Sequence, residues 1–393
     1  MTAQHAATSR ARISALTDVG RTREHNEDAF LVADFAVPEP LEFPALPNVA
    51  EGGPPSERTC DLSGAGVLLL VADGLGGAAA GEVASHLAAR VVHESFRRAL
   101  GAHDQAAGGP PRDPLAIAAA LRDAVLAANT AVHRLGAERP ELHGMASTIT
   151  AAYLRDDGIT VAQVGDSRAY VVRGAEARQI TKDQSLVQRL VDAGEMTPEQ
   201  AETSMRRNII LQALGPETSV RVDLTRQTLC RGDLVLLCSD GLSGQLRGGE
   251  LGTLVARTPD PGALCAALVA AANASGGPDN ITVVAARVSG DAFAAAPGDN
   301  DGGGASDCED VAPHRMSLEP ITDEIVVLPE RGLATTDETP VPTPPAAVKP
   351  SRVAAGVSRG EVAERRGRVR GVYALLAAAA AAVAAWTWWS FVR

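Results

Sequence analysis

Four aspartates beside apolar, strand-like segments are the residues of this sequence best suited to chemistry. They are Asp73, Asp166, Asp240 and Asp279, and each is followed at once by a small or turn-forming residue. An unpaired carboxylate is very costly to bury in an apolar core. Hard divalent cations such as Mg²⁺ and Mn²⁺, which prefer oxygen ligands, would offset that cost. The pattern therefore predicts a metal site.

The apolar segments around these aspartates predict how the carboxylates could meet. Three of the aspartates close an apolar run and the fourth opens one. The runs are residues 67–72, 159–165, 234–239 and 281–287. In an antiparallel sheet the end of one strand lies beside the start of its neighbour. Carboxylates that are far apart in the chain can therefore gather at one edge of a sheet.

Segments with strand and helix patterns alternate between residues 11 and 290. The strand-like runs come mostly in hairpin pairs and the helical runs in separate pairs, which favours antiparallel sheets with helices layered outside. Residues 81–100 and 115–135 place apolar side chains three and four positions apart, as helices do. Residues 38–66 are rich in Pro and Gly and predict a long loop.

Composition limits the functions available to the chain. It has 393 residues and a formal net charge of -12, which argues against sequence-independent binding to nucleic acid. Its five cysteines form no CxxC pair. Cys238 and Cys265 lie in apolar segments, so we expect buried free thiols and a reducing cytoplasm. The N-terminal residues lack the pattern of a signal peptide.

The C-terminal part predicts a linker and a membrane anchor. Residues 291–371 are rich in Pro, Gly, Thr and Asp and predict no fold, only a disordered tether with a basic end. Residues 372–392 carry no formal charge and, as a helix, would span roughly 31 Å, close to a hydrocarbon core. Residues 351–370 hold six arginines against two glutamates, so the positive-inside rule keeps that side in the cytoplasm. This predicts a single-pass tail anchor in the inner membrane, whereas a soluble alanine-rich helix is the alternative.

Five short motifs follow one another in a specific order. They are residues 23–28, 73–77, 165–168, 239–241 and 277–282. Each motif alone is weak, because an Asp-Gly pair is common where a strand ends in a turn. Together they resemble the metal-dependent protein serine/threonine phosphatase family, of the protein phosphatase 2C type, over residues 11–290.

The resemblance implies an α+β fold: a four-layer α-β-β-α sandwich of two antiparallel sheets flanked by helix pairs. It also implies a site with two Mn²⁺ or Mg²⁺ ions between the sheets. The implied metal ligands are Glu27, Asp28, Asp73, Gly74 (through its carbonyl), Asp166, Asp240 and Asp279. Asp73 would bridge the two ions, and Asp166 would serve a third, weaker ion. Arg23 would bind the substrate phosphate, and it forms the expected catalytic set with Asp73 and Asp240.

The implied activity is hydrolysis of phosphoserine and phosphothreonine on proteins, with serine/threonine kinases or their substrates as partners. Several segments depart from the family pattern. Residues 181–187, which contain Asp183-Gln184-Ser185, stand where bacterial members often have Asp-His-Ser, and Ala146 replaces a usual glycine. These departures leave open a catalytically weak sensor or scaffold, and a phosphatase for small phosphate esters, which would need a deep closed pocket, is a further alternative. We expect Asp183 and Asp223 to be solvated surface residues.

Overall fold

The computed structural model describes residues 8–37, 55–76, 79–107, 113–295 and 312–316. All of them belong to the first of two units into which the chain divides, Met1–Leu333 and Ala334–Arg393. The predicted anchor at 372–392 and most of the predicted linker at 291–371 lie outside the described residues.

One antiparallel sheet, called sheet A here, contains six strands within the described ranges. In spatial order they are β3 (Ser56–Asp61), β1 (Arg10–Asp18), β12 (Ile281–Ser289), β11 (Leu234–Cys238), β8 (Arg168–Arg173) and β9 (Glu176–Gln179). Its central strands come from opposite ends of the chain, since Asp18 of β1 pairs with Ile281 of β12.

The second antiparallel sheet, sheet B, contains seven strands among the residues described. In order they are β13 (His314–Met316), β10 (Asp223–Gln227), β7 (Gly158–Val164), β6 (Ile149–Arg155), β4 (Val67–Leu75) and β2 (Asp28–Asp34), with β5 (Ala146–Ser147) paired to the end of β4. A hairpin at residues 155–158 joins β6 and β7, in line with the hairpin pairs predicted from the sequence.

Strand β4 shows how the layers are arranged. Leu69 and Val71 face a core between the two sheets, whereas Leu68 and Leu70 face a core shared with helices. Because both faces are buried, the strand is a continuous apolar run and not an alternating one. The apolar run predicted to be a strand at residues 67–72 is thus a strand buried on both faces.

Helices cover the outer faces of both sheets. On sheet B these are α1 (Ala79–Ala107) and α2 (Pro114–Glu138), and on sheet A they are α6 (Gly248–Arg257) and α7 (Pro261–Ala274). The described part is thus an α+β fold of two antiparallel sheets with helices outside. Helix α2 is, in the described residues, the one helix long and apolar enough to cross a membrane, but its apolar side is packed into the core.

Three short helices lie near the edge that carries the predicted site. They are α3 (Leu186–Asp192), α4 (Pro198–Thr203) and α5 (Asp240–Ser243). Helix α4 begins with a capping box in which Thr197 and Gln200 satisfy each other's backbone N–H groups. Residues 185–211, which carry α3 and α4, are called the flap below.

The structure corrects the predicted boundaries in two places. Strand β3 lies in the predicted loop at 38–66, and β13 lies in the predicted linker at 291–371. Neither strand has an apolar pattern, because each is an edge strand attached mainly by backbone pairing. The core also continues past residue 290, since Phe293 is 2% exposed.

The cysteines follow the prediction in part. Cys238 and Cys265 are buried free thiols, as expected, and Cys60 is a third. Burial raises the pKa of each of these thiols to about 12. Cys230 is disulfide-bonded, which was not predicted from the sequence.

Candidate active site

Asp28 and Asp73 form a cross-strand pair in sheet B. Asp28 opens β2, Asp73 lies near the end of β4, and the two are partners in the antiparallel register. The alternation of side chains puts them on the same face as Phe30 and Val71, which is the face between the sheets. Both are almost fully buried, at 4% and 3% exposed. Like charges directly opposite each other are destabilising, so this pair favours a cation between the sheets.

Asp73 is held by a network of hydroxyl groups. Its backbone N–H donates to Thr148 Oγ1 at 3.0 Å, and its carbonyl accepts from Thr148 N at 2.8 Å and Ser147 Oγ at 3.2 Å. Thr148 Oγ1 is also 2.7 Å from Ser167 Oγ. Ser167 follows Asp166 directly, so these bonds tie the turn that carries Asp166 to the strand that carries Asp73.

Glu27 and Gly74 lie where β2, β4 and α1 come together. Gly74 N donates to the Glu27 carbonyl at 3.1 Å, and Ser85 Oγ of α1 donates to the same oxygen at 2.6 Å. A Cβ on Gly74 would lie 2.2 Å from the Gly81 carbonyl oxygen, so only glycine fits there. A Cβ on Gly81 would lie 2.8 Å from the Glu27 carboxyl carbon, which places this carboxylate against the first turns of α1.

Asp240 and Asp279 occupy the matching edge of sheet A. Asp240 begins α5 directly after β11, and Asp279 precedes the neighbouring strand β12. A Cβ on Gly241 would lie 2.0 Å from the Asn280 carbonyl oxygen, so the two segments are in direct contact. Adjacent strands thus bring together two carboxylates that are distant in the sequence.

Two polar side chains join this edge of sheet A to the carboxylates of sheet B. Ser239 Oγ donates to Asp28 Oδ2 at 2.7 Å. The Asn280 amide accepts from Glu27 N at 2.8 Å and donates to the carbonyls of Val19 and His25 at 2.9 Å. Both residues lie next to a predicted ligand, yet neither was predicted to have a role.

Arg23 forms a two-point ion pair with Asp279. Its Nε lies 3.0 Å from Asp279 Oδ1, and its Nη2 donates to Oδ2 at 3.1 Å. A guanidinium has five N–H donors, so the edge formed by Nη1 and Nη2 still has donors for a second anion. The structure thereby joins the predicted phosphate-binding residue to a predicted metal ligand.

The donor set fits hard divalent cations. The side chains at this edge offer carboxylate oxygens, and the turn at Gly74 adds a backbone carbonyl, which are the ligands that Mg²⁺ and Mn²⁺ prefer. In the part of the chain that is described, no three His, Cys, Asp or Glu side chains already stand as a group that could hold a metal. The carboxylates are therefore neighbours linked through Ser239, Asn280 and Thr148, not a closed cluster.

Two acidic residues predicted to be solvated are engaged in the structure instead. Asp183 accepts hydrogen bonds from Arg168 at 2.7, 3.0 and 3.1 Å and from Gln179 at 2.9 Å. Burial works to lower the pKa of Arg168, but Asp183 outweighs it and raises that pKa above its usual value. Asp223 accepts from Gln184 at 3.0 Å. Sequence spacing gave no signal for these partners, because they come from different strands and turns.

The chain is similar to known phosphatases. A family model for protein phosphatase 2C matches residues 56–264. The serine/threonine protein phosphatase PstP of Mycobacterium tuberculosis is 40% identical over 223 residues, which are 56% of this chain and 40% of that protein. The serine/threonine phosphatase stp of Listeria monocytogenes is 31% identical over 270 residues, which are 68% of this chain and 92% of that protein. The chain therefore spans under half of PstP and nearly all of stp.

Solved structures of this kind share the fold. The crystal structure of the Mycobacterium tuberculosis phosphatase PstP/Ppp has a TM-score of 0.55 and 33% identity, over 71% of this chain and 98% of that one. The catalytic domain of PstP in complex with two manganese ions has a TM-score of 0.51 and 34% identity, over 72% of this chain and all of that one. These relatives are named as serine/threonine phosphatases, which are hydrolases.

Proposed function

Because this chain belongs to the protein phosphatase 2C family, we propose that it hydrolyses phosphoserine and phosphothreonine side chains of proteins with a metal-activated water. The observation that carries the proposal is the hydrogen bond from Ser239 to Asp28. It joins the Asp28–Asp73 pair of sheet B to the edge of sheet A that holds Asp240 and Asp279. This link between carboxylate-bearing edges of both sheets supports a metal site between them.

The ligand set is the one that the family resemblance implies. The residues that would hold the ions are Glu27, Asp28, Asp73, Asp240 and Asp279, with the carbonyl of Gly74. When bound, Mn²⁺ or Mg²⁺ would supply a Lewis acid and a water acidic enough to attack phosphorus at neutral pH. Asp166, which the Ser167–Thr148 bond ties to Asp73, would serve a third, weaker ion together with Asp240.

Arg23 would bind the phosphate of the substrate. The guanidinium edge formed by Nε and Nη2, the side-on edge, binds Asp279, and this contact orients the guanidinium. The free end-on edge can form two parallel hydrogen bonds with a phosphate and stabilise charge that develops in the transition state. Asp279 would thus serve both the ion and the orientation of Arg23.

The test is phosphate release by the full-length protein from a phosphothreonine peptide, with Mn²⁺ and with EDTA. We expect release that requires Mn²⁺ and that favours the peptide over a small ester such as p-nitrophenyl phosphate. Peptide binding without release would identify a sensor or scaffold instead. Faster turnover of the small ester than of any peptide would identify a small-ester phosphatase.

We also propose that residues 372–392 anchor the protein in the inner membrane with the phosphatase domain in the cytoplasm. The support is the uncharged segment and the arginines that precede it. Phosphorylated proteins, including serine/threonine kinases or their substrates, would then meet the site at the membrane surface.

A further inference from the structure

Gln184 connects three separate segments at the base of the flap. Its backbone N–H donates to the Gly165 carbonyl at 2.9 Å, and its carbonyl accepts from Leu211 N at 2.7 Å. Its side-chain Oε1 accepts from Gly165 N at 2.9 Å. Its Nε2 donates to the Arg221 carbonyl at 3.1 Å and to Asp223 Oδ2 at 3.0 Å. One residue, 5% exposed, thus makes five hydrogen bonds.

The first of these segments carries a predicted metal ligand. Gly165 has a φ of +103°, a conformation that favours glycine, and Asp166 follows it. Gln184 binds both the N–H and the C=O of Gly165, so the peptide planes that lead into Asp166 are held on both sides. From this turn the Ser167–Thr148 bond continues to the backbone N–H of Asp73.

The second segment is the flap, whose two ends meet beside Gln184. Leu186 N donates to the Ile209 carbonyl at 2.9 Å, and Ser185 and Ile210 form an isolated bridge. The bond from Leu211 to Gln184 closes this junction. The third segment, residues 221–223, leads into β10 of sheet B. The Asp166 turn and residues 221–223 therefore depend on the Gln184 side chain, and the flap is joined to the same residue through its backbone carbonyl.

An amide suits this position better than the histidine that bacterial relatives often carry there. The Gln184 amide accepts once and donates twice. A neutral imidazole has one N–H donor and one acceptor, and an imidazolium has no acceptor for Gly165 N. Glutamine can therefore satisfy Gly165, Arg221 and Asp223 together, and it does so independently of protonation.

We propose that Gln184 is a positioning residue for the phosphatase reaction, holding the Asp166 turn and the flap in one fixed arrangement. This inference rests on the proposed function. Partners that orient metal ligands typically change metal affinity or activity by about 10–100-fold when they are removed. We therefore expect Gln184→Ala to lower kcat/KM for a phosphopeptide by about that factor and to raise the Mn²⁺ concentration needed for half-maximal binding.

Two substitutions that together move the carboxylate from position 223 to position 184 test the role of the amide itself. Gln184→Glu keeps the acceptor for Gly165 N but cannot donate, and it places a second carboxylate beside Asp223. Adding Asp223→Asn to that variant restores one donor–acceptor pair in the opposite sense, whereas the Arg221 carbonyl stays without its donor. We expect Gln184→Glu to be as defective as Gln184→Ala, and the double variant to recover part of the activity and Mn²⁺ affinity.

The matched control is Gln188→Ala, four residues further on. The Gln188 side chain also donates to an aspartate, Asp192, at 3.0 Å, but only within α3. It should behave like the unmodified protein in kinetics, in Mn²⁺ binding measured by calorimetry, and in hydrogen exchange. Equal kinetics and Mn²⁺ binding for Gln184→Ala and Gln188→Ala would overturn the proposal, and so would failure of the double variant to recover.

Hydrogen exchange separates this proposal from the proposed function. Gln184→Ala should speed exchange at the Gly165 amide in the metal-free protein, because that amide loses its side-chain acceptor, whereas Gln188→Ala should not. If the unmodified protein releases no phosphate while the Gly165 amide responds as expected, the proposed function fails and the linkage stands. Unchanged exchange at the Gly165 amide would contradict the linkage whatever the activity.

Discussion

At the scale of single residues, the contact between Arg23 and Asp279 gives the site its direction. Asp279 binds the guanidinium edge formed by Nε and Nη2. The edge formed by Nη1 and Nη2 therefore keeps N–H donors for a second anion. Because the side chain of Arg23 is 33% exposed, substrate can reach it. Asp279 therefore organises the residue that would bind phosphate.

Replacing Arg23 tests that role. Charge-assisted hydrogen bonds contribute roughly 1.5–3 kcal/mol, and about 1.4 kcal/mol is a factor of ten. We expect Arg23→Ala to lower kcat/KM for a phosphopeptide by about ten- to a hundredfold. Arg23→Lys should recover only part of the loss, since an ammonium cannot form the two parallel bonds.

Arg12→Ala is the control for Arg23→Ala in the same steady-state assay. Arg12 also pairs with an aspartate, Asp260, but in the first half of β1, away from the strand's Asp18 end. Its removal should leave the kinetics unchanged. Equal effects of the two alanine variants would show that Arg23 acts only as a surface ion pair.

The single-residue predictions came from motifs that stand next to strand ends. The structure brings Glu27, Asp28, Asp73, Asp240 and Asp279 to the facing edges of the two sheets, and the Asp166 turn is tied to Asp73. The supporting residues Ser239, Thr148 and Asn280 could not be predicted, because their partners come from strands that only the tertiary fold makes adjacent. Asp183 and Asp223 were wrongly expected to be solvated for the same reason.

At the scale of elements, α1 packs against sheet B through an aromatic cluster that contains a titratable group. His93 is 5% exposed and stacks on Phe35, with ring centroids 5.9 Å apart. Burial lowers the pKa of His93 from 6.5, and Arg97 lowers it further, against the opposite effect of Glu94. The folded protein therefore binds this proton less tightly than the unfolded chain does.

A pH series on His93 follows from that direction. The stability associated with neutral His93 is present above pH 6.5, the pKa in the unfolded chain, and is lost as the pH falls through the lower folded pKa. We expect the free energy of unfolding to fall more steeply below pH 6.5 for the unmodified protein than for His93→Gln. Urea unfolding at a series of pH values measures this, and parallel curves would contradict it.

Element predictions depended on the apolar pattern of each segment. The strands β4, β6, β7 and β11 are buried on both faces, and their apolar runs predicted them. The strands β3 and β13 are edge strands, and only Cys60 of β3 is buried. Backbone pairing holds such strands, and backbone pairing leaves no side-chain pattern to read.

At the scale of the whole molecule, two sheets built from interleaved parts of the chain pack face to face around a shared core. The antiparallel arrangement and the outer helices could be predicted from hairpins and helix pairs. The order of the strands within each sheet could not, since Arg10 of β1 pairs with Ser289 of β12 across almost the whole domain. The prediction of a site between the two sheets came only from the resemblance of the five motifs to a family.

The tail gives a prediction at the same scale. Deleting residues 371–393 should move the protein from the membrane fraction to the soluble fraction, because the uncharged segment is the proposed anchor. Phosphate release per molecule should stay the same, since residues 23–280 hold the proposed site. Fractionation after lysis measures this. A full-length protein that is already soluble would contradict the anchor.

The central claim is that carboxylates from both sheets hold the ions that activate water. The most direct measurement is the initial rate of Mn²⁺-dependent phosphate release from a phosphothreonine peptide by Asp240→Asn, with Asp123→Asn, at an exposed position of α2, as the control. We predict a loss of more than about a hundredfold for Asp240→Asn, beyond the usual effect of removing an outer partner. The control should match the unmodified protein. Release by Asp240→Asn at the unmodified rate, or release that persists in EDTA, would contradict the claim.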